Sequence, residues 1–239
     1  MCIRDRGVPG GGVNPLRGQN NVQGACDLGA LPNVFPGYQA VAEAQCRDKF
    51  SEAWKLSGSD GAEWSLSDRP GLTVTEIIDG AGKGSVRGLF ILGENPVLSD
   101  PDSNRVREHL SQTEFVVLQD IFPTATSEYA DVLLPGVSFA ERTGTFTNTE
   151  RRVQLFRQTI APRGDARADW DAIADLARRT ISAMKKTPAG PHAGWDYDDS
   201  AAIMSETAAL TPSYAGVSHD RLDKGCLLYT SPSPRDRYG

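Results

Sequence analysis

Two short apolar runs separated by one helix-length segment constrain this chain more than any other feature. Residues 86–92, Val-Arg-Gly-Leu-Phe-Ile-Leu, form an almost continuous apolar stretch bounded by Gly84 and Gly93. A strand apolar on both faces belongs in a parallel sheet, because only a sheet covered on both sides takes both sets of side chains out of water. Residues 115–118, Phe-Val-Val-Leu, repeat the signal and end at Gln119 and Asp120. Between them Asp102 or Ser103 suits a helix N-cap, and Val106 and Leu110 fall four residues apart on one helical face. Strand, helix and strand in that order make a β-α-β unit, with a right-handed crossover expected. Residues 131–135, Asp-Val-Leu-Leu-Pro, supply a third strand. The predicted fold class is α/β, an open, mainly parallel sheet with flanking helices.

Open α/β sheets bind ligands outside the carboxyl ends of their strands. That rule selects residues 93–99, which carry Gly93, Glu94, Asn95 and Ser99, and residues 119–122, which carry Gln119 and Asp120. Elsewhere the reading is coarser. Residues 7–40 are rich in Gly, Pro and Asn and read as a long ordered loop lining a site. Val41, Ala44, Phe50 and Trp54 suggest a broken amphipathic helix, and Val74, Ile77 and Ile78 a short one. Residues 141–152 read as a polar segment, followed by Val153, Gln154 and Leu155 alternating like an exposed strand. Residues 168–186 give the strongest helix, with Trp170, Ile173, Leu176, Ala177, Ile181 and Met184 on a stripe expected to pack in the core. A linker over 187–200 precedes a last helix at 201–210.

At 239 residues with 39% apolar content the chain can build a core as one large domain or two small ones. No run approaches the roughly 18 apolar residues of a membrane span, and no apolar leader opens the chain, so a soluble, cytoplasmic protein is expected. Residues 1–6 and 226–239 resemble translated sequencing adapter and are expected to be foreign to the natural protein. Without them, 21 Lys and Arg face 29 Asp and Glu, a net charge of −8, which argues against a nucleic-acid partner. Cys26 and Cys46 remain, with no C-x-x-C pair, so neither a disulfide framework nor a zinc or iron–sulfur site is expected here. His109, His192 and His219 read as surface residues.

Residues 14–29 hold one cation, Arg17, beside the amides Gln19, Asn20, Asn21 and Gln23, punctuated by Gly18, Gly24 and Gly29. This is poor material for a packed helix and good material for a polar, ligand-facing loop. A guanidinium is planar, permanently charged and fork-shaped, which suits a small carboxylate or a phosphate. The run Asn14-Pro15-x-Arg17-Gly18-Gln19-Asn20-Asn21-Val22-Gln23-Gly24-Ala25-Cys26-Asp27, followed by Pro32 and Pro36-Gly37-Tyr38, resembles the catalytic alpha subunits of molybdenum or tungsten formate dehydrogenases. These belong to the dimethyl sulfoxide reductase superfamily of bis-pterin enzymes.

The resemblance implies an incomplete, dinucleotide-binding-like domain of the molybdopterin oxidoreductase fold. It implies formate oxidised to carbon dioxide at a bis-molybdopterin guanine dinucleotide centre with Mo or W, in anaerobic metabolism. Electrons would pass to a 4Fe-4S cluster whose site lies outside this chain, and on to electron-transfer subunits or ferredoxin- or NAD-linked partners. By position, Arg17 would orient formate, beside Gly18 and Gln19. Gly93, Glu94, Asn95, Ser99, Gln119 and Asp120, with Asp131 and Glu141, would contact one guanine dinucleotide. The expected divisions are 7–72 as a site-lining loop and helical segment, 73–186 as the dinucleotide-binding α/β domain, and 187–225 as linker and helix. The family's metal-ligating Cys or selenocysteine, its His and its four-Cys motif have no counterpart here, so an internal fragment, inactive alone, is expected. Two other readings stay open. One is a different bis-pterin oxidoreductase such as a nitrate reductase. The other is a metal-free relative like the large iron–sulfur subunit of respiratory complex I.

Overall fold

The computed structural model describes residues 18–56, 65–184, 195–225 and 228–229. Arg17, His192 and most of both suspect ends lie outside them.

The first departure from expectation comes at once. Residues 22–27 form a helix, α1 (Val22–Asp27), inside the block whose composition argued against one. Gly24 is what the packing requires: a Cβ there would sit 2.2 Å from Asn21 Oδ1 and 3.2 Å from Thr147 Oγ1. Glycine lowers helix propensity but lets a distant strand approach, and tertiary contact overrides propensity. The rest of the expected loop holds a hairpin of β1 (Val34–Phe35) and β2 (Gln39–Ala40). Helix α2 (Ala44–Ala53) follows, with Phe50 fully buried and stacked on Phe35 at 4.6 Å.

Helix α3 (Val74–Gly82) starts where Glu76 accepts both the N–H (2.8 Å) and the O–H (2.7 Å) of Thr73, a reciprocal N-terminal cap. Then come β3 (Gly88–Leu92), α4 (Pro96–Ser99), α5 (Ser103–Gln112), β4 (Phe115–Asp120), a 3₁₀ turn (Ala125–Tyr129) and β5 (Val132–Pro135). Asp102 caps α5 by accepting the Arg105 N–H at 3.3 Å. The three strands form a parallel sheet in the order β3-β4-β5, with Leu92 opposite Gln119 and Asp120 opposite Pro135. Ile78, Val97, Val106 and Leu110 form its core against Leu89 and Ile91. Val116 and Leu118 of β4 are buried, whereas Val132 and Leu133 of β5 are exposed. The double cover expected of the 86–92 strand is not met: Gly88 is exposed and Leu89 to Leu92 are only half-buried. β5 is mostly exposed, and only β4 buries residues on both faces, Val116 and Leu118 on one and Gln119 on the other.

The segment read as merely polar contains β6 (Gly144–Thr147), which pairs antiparallel with β7 (Arg152–Phe156). A further strand, β8 (Leu228–Tyr229), lies in the tail expected to be foreign and pairs with β7. Helix α6 (Asp169–Ala183) forms as expected, yet Leu176 is 47% and Met184 53% exposed. Periodicity marks the apolar face of a helix; it does not say that the same chain supplies its cover. Helices α7 (Ser200–Leu210) and α8 (His219–Asp223) complete the fold. Val153, Met204, Tyr214 and Val217 form a second core. His109 and His219 are half-buried and not surface residues; the His109 ring lies 3.0 Å from the Ile78 carbonyl.

Candidate functional site at the strand ends

The carboxyl ends of β3 and β4 bring together residues far apart in sequence. Gly93 takes a left-handed backbone (φ +57°) while its N–H donates to the Gln119 carbonyl at 2.9 Å, so the ladder runs one residue past β3 before the chain turns away. Glu94 is exposed, and its carboxylate accepts the Asn95 N–H (3.1 Å) and the Ser99 hydroxyl (2.6 Å). Asn95 is fixed from below: its side-chain oxygen accepts the hydroxyl of fully buried Thr126 at 2.8 Å. The loop is therefore held, while its outermost carboxylate faces solvent.

Gln119 is 1% exposed. Its amide nitrogen donates to Asp169 Oδ1 at 2.9 Å, and its Oε1 is buried with no partner among the described residues. An orphaned buried acceptor costs on the order of 1–3 kcal/mol, and Gln119 Oε1 is one of six buried side-chain atoms without a partner among the described residues. Asp120 is half-buried and accepts the Ile121 N–H at 2.7 Å. Burial pushes the Asp169 carboxyl above its ordinary value and Asp120 adds to this, against the opposing pull of Arg142 and the Gln119 hydrogen bond. A cavity of about 220 Å³ opens beside Asp120, lined also by Ile121, Phe122, Ser127 and Leu134.

Two other expected residues sit elsewhere. Asp131 precedes β5 and accepts the Val116 N–H at 2.7 Å, at the amino end of the sheet and away from the cluster. Glu141 follows β5 and closes a 3₁₀ turn (Phe139–Glu141), accepting the N–H and hydroxyl of Ser138 at 2.9 Å each. Those bonds, and a further one from the Arg163 N–H, hold its carboxyl below the usual range. Sequence reading missed Thr126, Arg142 and Asp169. Only Asp169 carried a signal, as an acid in the first turn of a strong helix.

Around α1 the amide block is tied into the protein. Gln23 donates to buried Asp27 at 2.7 Å, Tyr214 OH lies 3.3 Å from the same carboxylate and 3.1 Å from Thr147 Oγ1, and Arg151 approaches within 3.7 Å. Asn21 Oδ1 accepts the Thr147 N–H at 2.9 Å. Gly18, Gln19 and Asn20 are exposed, and Asn20 lines a second cavity of about 260 Å³. Among the described residues there is no cluster of three His, Cys, Asp or Glu that could hold a metal ion, and no helix is long and apolar enough to cross a membrane.

Comparison with known proteins gives a consistent picture. Residues 2–179 match the family described as Molybdopterin oxidoreductase. The chain is 47% identical over 222 residues to the F420-dependent formate dehydrogenase subunit alpha of Methanocaldococcus jannaschii, covering 93% of this chain and 30% of that protein. It is 38% identical to formate dehydrogenase H of Escherichia coli over 93% of this chain and 28% of that one. The chain thus spans about three tenths of the length of these relatives. In fold it is similar to acetylene hydratase from Pelobacter acetylenicus, with a TM-score of 0.53 at 18% identity over 81% of this chain and 25% of that one.

Proposed function

The chain belongs to the molybdopterin oxidoreductase family, and from that premise we propose that it is part of the catalytic alpha subunit of a formate dehydrogenase. The observation that carries this reading is identity of 38–47% with formate dehydrogenases across 93% of the chain. In this reading one guanine dinucleotide of a bis-pterin Mo or W cofactor is held at the carboxyl ends of β3 and β4. The residues present fit it. Guanine offers adjacent N–H donors along one edge, and Glu94 and Asp120 are carboxylates at the strand ends with accepting capacity left over. The orphaned Gln119 Oε1 is a further acceptor awaiting a donor. Gly93 leaves open space where a Cβ would project. Asn95 and Ser99 would hold the loop, while Asp131 and Glu141 serve the backbone around it.

When bound, the metal centre supplies the two-electron acceptor for formate oxidation. Arg17 would bind formate through two parallel hydrogen bonds and fix its orientation, with Gly18 and Gln19 completing the polar loop. The 4Fe-4S cluster and the electron-transfer partners belong, in this reading, to segments and subunits beyond these residues.

The test uses the full-length subunit that contains this sequence. Arg17→Lys keeps the charge but loses the fork, and formate turnover should fall about a hundredfold while metal content is unchanged. The double change Glu94→Gln with Asp120→Asn should instead lower bound metal and pterin. Full activity in Arg17→Lys would overturn the role given to Arg17.

A further inference from the structure

Asn21 is the point at which the exposed residues 18–20 pass into α1, and two local costs meet there. Its backbone is left-handed (φ +60°, ψ +15°), a region that disfavours any residue with a Cβ. Gly24 sits inside the helix, where glycine is a poor former, and leaves empty the place where a Cβ would lie 2.2 Å from Asn21 Oδ1. Both costs serve one contact. Through that space Asn21 Oδ1 accepts the Thr147 N–H of β6 at 2.9 Å. A glycine at position 21 would suit the backbone and lose this bond, so the carboxamide is what Asn21 supplies.

Thr147 is a firm anchor. It is buried, and its hydroxyl lies 3.1 Å from the hydroxyl of Tyr214, itself buried in the second core. Tyr214 gives its single proton to Asp27 Oδ2 at 3.3 Å, so the Thr147 hydroxyl donates to Tyr214. The start and the end of α1 are thus tied to one threonine, Asn21 through the backbone N–H and Asp27 through Tyr214. Only Gly18, Gln19 and Asn20 separate Asn21 from Arg17 in sequence. A cation that must meet a one-carbon anion with two parallel bonds tolerates little displacement, and an anchor close behind it in the chain limits that displacement. We propose that Asn21 is a positioning residue for Arg17, its bond to β6 fixing the base of the segment that carries the guanidinium. The proposal rests on the role given to Arg17 and deepens it.

The test uses the full-length subunit with its cofactor and reads formate KM and kcat, metal content and hydrogen exchange of the Thr147 amide. Asn21→Gly removes the carboxamide while suiting the left-handed backbone, and Gly24→Ala is a better helix former whose methyl displaces that carboxamide. Each should speed Thr147 exchange about tenfold and raise formate KM about tenfold, with kcat within about threefold and metal content unchanged. Asn21→Asp keeps an accepting oxygen and should bring exchange and KM back to within about threefold of the parent. Tyr214→Phe weakens the core without removing the Asn21 bond, so it should lower stability and leave KM within about threefold. Arg17→Lys with Asn21→Gly should be within about threefold of Arg17→Lys alone in kcat/KM, because Asn21 acts only through the Arg17 fork. Unchanged exchange or unchanged KM in Asn21→Gly, beside an impaired Arg17→Lys, would overturn the proposal and leave the role of Arg17 standing. So would a KM that rises in Tyr214→Phe as much as in Asn21→Gly, or losses that add in the double variant. Full activity in Arg17→Lys would overturn the role of Arg17 and this proposal with it.

Discussion

The strand ends of β3 and β4 and the surroundings of α1 are both rich in polar side chains, and they use them in opposite ways. Around α1, Gln23, Asp27, Tyr214, Thr147 and Asn21 are bonded to one another, and Asp27 is 2% exposed. At the strand ends Glu94 and Asp120 satisfy only nearby groups, and Gln119 Oε1 satisfies none among the described residues. A polar cluster whose bonds close on themselves holds a fold; one with capacity left over is free to bond something else. The block most distinctive in sequence is therefore divided. Its second half, 21–27, locks α1 to the hairpin and to Tyr214, and residues 18–20 stay exposed.

The sharpest way to break this contrast is to remove one carboxylate from each region. Asp27→Ala leaves Gln23 and Tyr214 without their acceptor and takes the counter-charge from Arg151, so unfolding free energy should fall by about 3 kcal/mol. The loss stays at the low end for a broken buried pair because the Arg151 side chain is 41% exposed and can turn to water. Asp120→Ala should cost no more than about 0.5 kcal/mol in urea denaturation, as for an ordinary partly exposed position. Comparable losses at both positions would remove the distinction.

Thr126→Val comes next. The hydroxyl is fully buried, bonds Asn95 Oδ1 and lies 3.4 Å from the Val97 N–H, so an isosteric methyl should cost about 1.5 kcal/mol. Because Asn95 loses its anchor, nucleotide affinity should fall with stability. If stability falls and affinity does not, Thr126 serves only the core. Gly93→Ala should cost about 1 kcal/mol, from backbone strain alone, since φ is +57° and nothing lies within 4 Å of the added carbon. A thermal melt unchanged in Gly93→Ala would show that the loop relaxes freely.

How much of this was legible beforehand follows from which forces act locally. The β3-α5-β4 unit was readable because a continuous apolar run and a 3.6-residue period each have one physical solution. The strand-end location came with it, since topology alone places Gln119 beside Gly93. Helix α1 was not readable, because the crowding at Gly24 comes from the Asn21 side chain and from Thr147, and Asn21 is itself held by its bond to Thr147, more than a hundred residues away. Nor was the fate of the α6 stripe, since Leu176 and Met184 read as core from periodicity whether or not a cover is present. The Gln119–Asp169 bond likewise joins residues whose adjacency no short-range pattern encodes.

Asp169 gives the smallest effect and the finest discrimination. Its carboxyl is raised in the folded chain, chiefly by burial, so the folded state holds the proton more tightly than the unfolded one. Its contribution is then most favourable below the ordinary carboxylate value of 3.8 and is lost as pH rises through the folded value. Asp169→Asn keeps the acceptor for Gln119 and removes the buried charge, so the variant should be slightly more stable than the parent at neutral pH, and that advantage should vanish in acid. A variant less stable at neutral pH, by an amount that grows with pH, would mean that attraction to Arg142 outweighs burial. The new amide also adds an N–H donor to the residue that the Gln119 side chain contacts, and Gln119 Oε1 has no partner among the described residues. If stability rises while guanine nucleotide affinity falls, that oxygen is an acceptor kept free for ligand. If affinity is unchanged, the strand-end contrast rests on Glu94 and Asp120 alone.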